Sequence, residues 1–305
     1  MAGFISEYYG YPAGDKSPAA LSAASLEECP FINDVCTKTL GRSGTEVTSG
    51  ACAIEQMSGL EVICCPNRYY EDNFYFLSHV AELAFKSRDP IMEGRKAVDF
   101  AVENNCHTIA AFGKTFGGEL RLPKRDSAGS YFVDWILARI NPDGTLEQFC
   151  AIEVQTIDTT GNYHASKDGL DSEDRIKVKS SVGLNWSNVE KRIIPQLAYK
   201  GDILSSENRC LSGLFFVCPM PVLDKIMSRL GGRSALKKGP TQPAAITFVA
   251  LDYDPDEAPM DGRPRQLKIL ETHTTTTSPM KEAFSNVSLP EDNVYEDAIK
   301  RALGL

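Results

Sequence analysis

The chain reads as an α/β protein. Apolar segments with helical spacing alternate with short runs rich in β-branched and aromatic residues, and a strong turn signal joins two of those runs into a hairpin. Residues 74–87, FYFLSHVAELAFKS, and residues 92–104 carry the helical spacing, and Leu77, Val80, Leu83 and Ala84 make one face suited to burial. A short strand is expected from His107 to Phe112, followed by Gly117-Gly118-Glu119 and then the hairpin. Residues 159–186 are polar and read as loop. Ser187 is placed to cap a helix running through Tyr199, with Glu190 three residues on as the partner of a capping box, and Pro195 should kink that helix. Apolar runs at 211–218, 244–251 and 266–270 predict strands, and 291–303 predicts a terminal helix. Residues 1–68 are rich in Gly, Ser, Pro and Cys, show little sustained periodicity and read as irregular.

Size and composition limit the function classes. A chain of 305 residues can bury a substantial core as one large domain, or as one domain with a small appendage. No apolar run approaches the ~18 residues of a membrane span. The first residues, MAGFISEYYGYPAGDKS, lack the basic and apolar regions of a secretory signal, so a cytoplasmic protein without membrane attachment is expected. In that setting nine cysteines, an odd number, point to thiols or metal ligands rather than a disulfide framework. A net charge of −9 argues mildly against a polyanion, but binding responds to local patches rather than to a sum. Basic clusters stand at Lys124-Arg125, Arg175/Lys177/Lys179, Lys191-Arg192, Arg233/Lys237/Lys238 and Arg263/Arg265/Lys268.

Two constellations carry chemistry. The first is the hairpin, FVDWILARINPDGTLEQFCAIEVQTID, with its turn at Asn141-Pro142-Asp143-Gly144. Folding about that turn sets Asp134 roughly opposite Ala151, which makes Glu153 a diagonal neighbour at ~7–8 Å between backbones. Gln155 shares the face of Glu153 because strand side chains repeat every two residues. Mg²⁺ takes oxygen ligands, usually one or two carboxylates plus substrate phosphates, so the hairpin offers a divalent-metal site in outline. A solvated acidic face is the plainer reading of the same residues, and glycosidases also pair two carboxylates. Asp134 lies between Val133 and Trp135, in an apolar run where an uncompensated charge would be costly.

The second constellation is the cysteine group. Cys29, Cys36, Cys52 and the adjacent Cys64 and Cys65 fall within one stretch that is poor in core residues. Four thiolates can close a tetrahedral Zn²⁺ or Fe site and so hold together a segment with little apolar surface; buried structural thiols are the alternative. Cys65 suits a fourth ligand better than Cys64, which continues the apolar run Val62-Ile63. Cys106, Cys150, Cys210 and Cys218 stand in apolar, strand-like contexts and are expected in the core.

Taken together, CPF at 29–31, Cys36, GAC at 50–52, CPNR at 65–68, GGEL at 117–120, VDW at 133–135, IEVQT at 152–156 and SNVxKRxxxQLAYK at 187–200 resemble the NotI-type (NotI- and EagI-like) restriction endonucleases. These form a branch of the PD-(D/E)xK nucleases with ExQ in place of ExK. The resemblance runs in order from the N-terminus to about residue 220. It implies a PD-(D/E)xK core, a mixed central sheet flanked by helices, over residues 71–305, with an N-terminal four-cysteine metal-binding segment over residues 1–70. It implies that Asp134, Glu153 and Gln155 form the active site, with Glu119 adding an acid to it, and that Asp134 and Glu153 hold Mg²⁺. It further implies that Cys29, Cys36, Cys52 and Cys65 bind a structural iron, with zinc as the substitute. Lys191 and Arg192 become candidates for DNA phosphate contact, and Gln196 for packing against the sheet. The activity implied is that of a type II restriction endonuclease from bacteria, a homodimer cutting double-stranded DNA at a GC-rich palindrome containing CGGCCG. A repair or structure-specific nuclease of the same superfamily, and a non-catalytic four-cysteine DNA-binding module, are the alternatives.

Overall fold

The computed structural model describes residues 2–42, 44–114, 116–118, 120, 132–286 and 292–305. Its centre is a mixed seven-stranded sheet. An N-terminal sheet precedes it in the chain, built from β1 (Gly3–Tyr8), β2 (Tyr11–Pro12), β3 (Ala51–Gln56) and β4 (Glu61–Ile63) in the order β2-β1-β3-β4. The central sheet comprises β5 (Ile91–Glu93), β6 (Thr108–Gly113), β7 (Trp135–Ile140), β8 (Leu146–Val154), β9 (Leu214–Cys218), β10 (Ala245–Tyr253) and β11 (Leu267–Thr276). Its order is β11-β10-β9-β8-β7-β6-β5, so every strand but the two at the edges has neighbours on both sides. Strands β8, β9 and β10 run parallel, whereas β6, β7 and β8 pair antiparallel. The helices among the described residues are α1 (Pro18–Leu26), α2 (Glu71–Phe85), α3 (Gly94–Asn104), α4 (His164–Asp171), α5 (Ile194–Ser205), α6 (Met220–Arg229), α7 (Thr277–Ser285) and α8 (Val294–Leu303).

Strand burial shows how the sheet sits. All five residues of β9, LFFVC, are buried, as expected for a parallel strand covered on both faces. Leu214, Phe216 and Cys218 enter one core cluster, and Phe215 and Val217 the other, following the strand period of two. In β8, Cys150, Ile152 and Val154 join the second cluster while Ala151 joins the first. Glu153, two residues from Ala151, therefore belongs to the first face. That face is covered by α5 and α6, through residues such as Leu197, Leu204, Val222 and Leu223. The other face is covered by α2, through Phe76, Leu77, Val80 and Ala84; the expected Leu83 is only partly buried.

The N-terminal region is not irregular. Ile5, Tyr8, Ala51, Ile54 and Val62 of its sheet belong to the same cluster as α5 and α6. The pattern was illegible because β1 and β3 are buried almost throughout and so lack polar alternation, and their pairing joins residues distant in sequence. Polar and charged groups reinforce the junction. Arg68, fully buried, bonds Glu7 of β1 at 3.0 Å and also contacts Glu71 of α2 and the carbonyl of Arg265. Tyr253 of β10 donates to Glu7 at 2.9 Å.

Three further differences have local causes. The stretch expected as loop contains α4, whose buried residues are mostly polar: Ser166 accepts from the Ile5 amide, and Lys167 bonds Asp171 and the Tyr8 hydroxyl. Strand β11 extends well beyond 270 because its continuation, ETHTTT, is polar but β-branched. Ahead of α5, residues Val189–Ile193 form one wide π turn, and Pro195 lies within the first turn of the helix that follows. Proline has no amide to donate, and the wider turn, in which the Ile194 amide bonds the Val189 carbonyl, fits that gap. No capping box forms, since Ser187 bonds Asn185 instead. The last helix, α8, buries none of its residues. Among the described residues no helix is long and apolar enough to cross a membrane.

Candidate active site

The hairpin register differs from the simple fold about its turn. Trp135 pairs with Ile152 and Ile136 with Ala151, so Asp134, one residue earlier, stands level with Glu153 rather than diagonal to it. Two features move the partner, each by one residue. The turn closes between Asn141 and Thr145, and Glu147 is an extra residue where Arg139 faces Gln148 but Ile140 faces Leu146. The bulged Glu147 pairs with Arg139 at 2.9 Å.

Trp135 fixes the start of β7. Its ring is buried among Tyr70, Phe74, Phe76 and Phe116, and it lies so close over Gly113 that a Cβ there would sit 2.3 Å from Cε3. With Trp135 anchored on one face, Asp134 leaves on the other. Its Oδ2 accepts from the Val154 amide at 2.8 Å, which brings the carboxylate to the residue beside Glu153. Asp134 itself is exposed, so the burial cost expected from its apolar neighbours does not arise.

Glu153 carries the buried charge instead. Its side chain is 15% exposed, and Oε1 meets Nζ of Lys200 at 2.5 Å. Its other oxygen, Oε2, is buried with no hydrogen-bond partner among the described residues. Burial, with the nearby Asp134 charge, pushes the Glu153 carboxyl up to about 7, against the lowering effect of Lys200. Gln155, half-buried just beyond the end of β8, donates its backbone amide to the Val217 carbonyl at 3.0 Å, continuing the parallel ladder.

Lys200 was not singled out by the sequence reading. The signal was present, because Ile194, Leu197, Gly201 and Leu204 form the buried side of α5 and Lys200 falls three residues after Leu197 and four before Leu204. A lysine on the sheet-facing stripe is an anomaly that periodicity alone can flag.

The other expected residues are distributed as follows. Glu119, Lys124 and Arg125 lie outside the described residues. Lys191 and Arg192 are exposed, and Arg192 is 3.8 Å from Asp158. Gln196 is exposed and does not pack against the sheet. Several basic residues are engaged within the protein: Arg175 is buried beside the Tyr8 ring, Arg233 pairs with Asp224 and Glu271, Arg265 with Glu61, and Lys268 with Asp254 and Asp256.

Cys29, Cys52 and Cys65 form one buried cluster with Phe31, and Cys36 packs against it. Burial pushes the Cys52 thiol well up, raises that of Cys29, and pushes that of Cys65 up to about 12. Cys64 faces elsewhere, with its sulfur 3.1 Å from Nζ of Lys38. Cys150, Cys210 and Cys218 are core residues, and Cys106 is half-buried. All nine are free thiols. Among the described residues no three His, Cys, Asp or Glu side chains are arranged to hold a metal ion.

No curated protein matches the chain. A family model described as Restriction endonuclease NotI matches residues 17–226, a span that takes in the four clustered cysteines, the hairpin with both carboxylates, and α5 with Lys200. On a match over more than half its length, the chain belongs to the NotI restriction endonuclease family.

Proposed function

We propose that this protein is a type II restriction endonuclease that hydrolyses phosphodiesters of double-stranded DNA with Mg²⁺, as a homodimer, at a GC-rich palindrome containing CGGCCG. The observation that carries the reading is the level pairing of Asp134 with Glu153 at the start of β7, where one carboxylate is exposed and the other is buried with one oxygen that has no hydrogen-bond partner among the described residues. A buried carboxylate oxygen without a donor is costly unless a cation meets it. Asp134 and Glu153 suit Mg²⁺, which takes one or two carboxylates and leaves its remaining positions to water and phosphate.

Under this reading the β7–β8 hairpin with β9 is the heart of a PD-(D/E)xK core over residues 71–305, and residues 1–70 form the four-cysteine metal-binding segment. When bound, Mg²⁺ would supply Lewis acidity at the phosphate and lower the pKa of water in the site. Asp134 and Glu153 would hold it. In the reaction a water oxygen bonds to phosphorus, the bond to the leaving sugar oxygen breaks with its electron pair, and that oxygen takes up a proton. Gln155, whose backbone is fixed to β9, orients water through its amide; a neutral amide does not accept the proton. Lys191 and Arg192, exposed on the π turn ahead of α5, supply contacts to DNA phosphates. Glu119, outside the described residues, would add a third acid. Cys29, Cys36, Cys52 and Cys65 would hold structural iron or zinc, and the support is their donor chemistry, with three thiols clustered about Phe31 and the fourth packed against them. Cutting both strands of a palindrome requires two such sites about a two-fold axis.

The test is incubation of the protein with unmethylated plasmid DNA and Mg²⁺. Discrete fragments with common ends support the restriction reading. A smear or junction-specific nicking favours a repair or structure-specific nuclease, and binding without cleavage favours a non-catalytic four-cysteine module.

A further inference from the structure

A nuclease site built on ExQ has no cation at the strand position where related enzymes carry lysine, and the fold brings one from another element. We propose that Lys200, delivered by α5, is the cation of this active site and moves its contact from Glu153 to the scissile phosphate once a divalent ion occupies the carboxylates. The proposal rests on the nuclease reading given above.

Its support is positional. Lys200 lies on the stripe of α5 that packs onto the sheet, between Leu197 and Leu204, and its ammonium reaches Glu153 at 2.5 Å. Lys200 lines an apolar cavity of about 630 Å³ with Val133, Ile136 and Ile203, and its charged end is held at Glu153. Ile136 stands two residues after Asp134, on the strand face that Asp134 also takes, and Lys200 shares the cavity with it. A lysine turned inward at this point loses hydration and rotamer freedom, and an exposed position one residue along the helix, at Tyr199, would avoid that cost. Lys200 offsets the charge of Glu153. The Lys200 ammonium would be repelled by a divalent ion held on Glu153, and the anion left for it would be the phosphate, whose charge grows during hydrolysis. Lysine suits this exchange because it is a compact point charge on a flexible stem.

The experiment compares wild type, Lys200→Met, Lys200→Arg, the double variant Lys200→Met/Gln155→Lys, and Asp134→Ala. Each is assayed for Mg²⁺-dependent cutting of unmethylated plasmids with GC-rich inserts, for Mn²⁺ binding by electron paramagnetic resonance without DNA, and for Tm. Lys200→Met should cut roughly 100-fold more slowly or worse yet bind Mn²⁺ roughly tenfold more tightly, since a competing cation has been removed. A lysine restored on the strand in the double variant should recover at least tenfold of the lost rate, and Lys200→Arg should retain part of it. The opposite signs of the two effects are what a merely structural ion pair would not produce. Lys200→Met cutting at the wild-type rate while Asp134→Ala is inactive overturns the proposal and leaves the nuclease reading intact. Slower cutting together with weaker Mn²⁺ binding also overturns it. Wild type failing to cut, or Asp134→Ala cutting normally, overturns the nuclease reading and the proposal with it. If Lys200→Met does not fold, Lys200→Gln takes its place: cutting at the wild-type rate, or slower cutting together with weaker Mn²⁺ binding, overturns the proposal.

Discussion

Replacing Glu153 by glutamine separates its charge from its shape, and the structure predicts how the consequence varies with pH. Burial and the Asp134 charge raise the carboxyl from 4.5 to about 7 despite the lysine at 2.5 Å. A carboxyl whose folded-state pKa lies above its unfolded value holds its proton more tightly in the native chain. Its contribution to stability is therefore whole below pH 4.5 and is lost as pH rises through about 7. Over that gap of roughly two and a half units the loss is about 3 kcal/mol. Glutamine imitates the protonated acid, and either form leaves Lys200 without an anion, so the variant should match wild type near pH 4.5. By pH 8 it should be more stable by about 3 kcal/mol. The assay is urea unfolding of chelator-treated protein at the two pH values; taking the difference between variant and wild type cancels the other titrating groups. Addition of Mg²⁺ at pH 8 should then stabilise wild type more than the variant, which keeps Asp134 but lacks the second carboxylate. A stability difference that does not change between pH 4.5 and pH 8 would refute the electrostatic description of the site.

Other expectations follow from the same structure. Asp134→Ala and Glu153→Ala should each lower Mg²⁺-dependent cleavage by roughly 1,000-fold or more while DNA binding, read by fluorescence anisotropy in Ca²⁺, persists. Gly113→Ala would drive a methyl group into the Trp135 ring, so a loss of about 1–3 kcal/mol and a lower Tm are expected, and an unchanged Tm would contradict the described contact. Arg68→Met leaves the buried Glu7 without its cation, for a loss of about 3–5 kcal/mol; adding Glu7→Gln should recover part of it, and strict additivity would count against the network. Metal analysis of protein purified without added metal should find about one iron or zinc per chain, and Cys52→Ser should lose it together with protease resistance of residues 1–70.

Much of the fold was legible because its cause is local. The helical face at Leu77, Val80 and Ala84, the strand at residues 108–112 and the hairpin turn all declared themselves through period and turn chemistry. What stayed hidden depends on tertiary context. The N-terminal sheet pairs β1 with β3 across much of the segment, and both are buried too uniformly to alternate. Helix α4 buries polar side chains that find partners only once Ile5 and Tyr8 are in place. In the site, the sequence identified Asp134 and Glu153 as neighbours but set the register two residues off. Only hydrogen bonding shows that the turn closes at Thr145 and that Glu147 bulges. Lys200 shows the limit from the other side: its place on the apolar stripe of α5 was readable, but its target, on a distant strand, was not.

The central claim is that this chain cuts DNA at defined sites through Asp134 and Glu153. The most direct measurement is end-mapping of unmethylated plasmid DNA incubated with Mg²⁺, run beside Asp134→Ala. Discrete fragments whose ends share one GC-rich palindrome are expected for the native protein, and intact plasmid for the variant. Fragments of the same ends from Asp134→Ala, or no cleavage by the native protein, would contradict it.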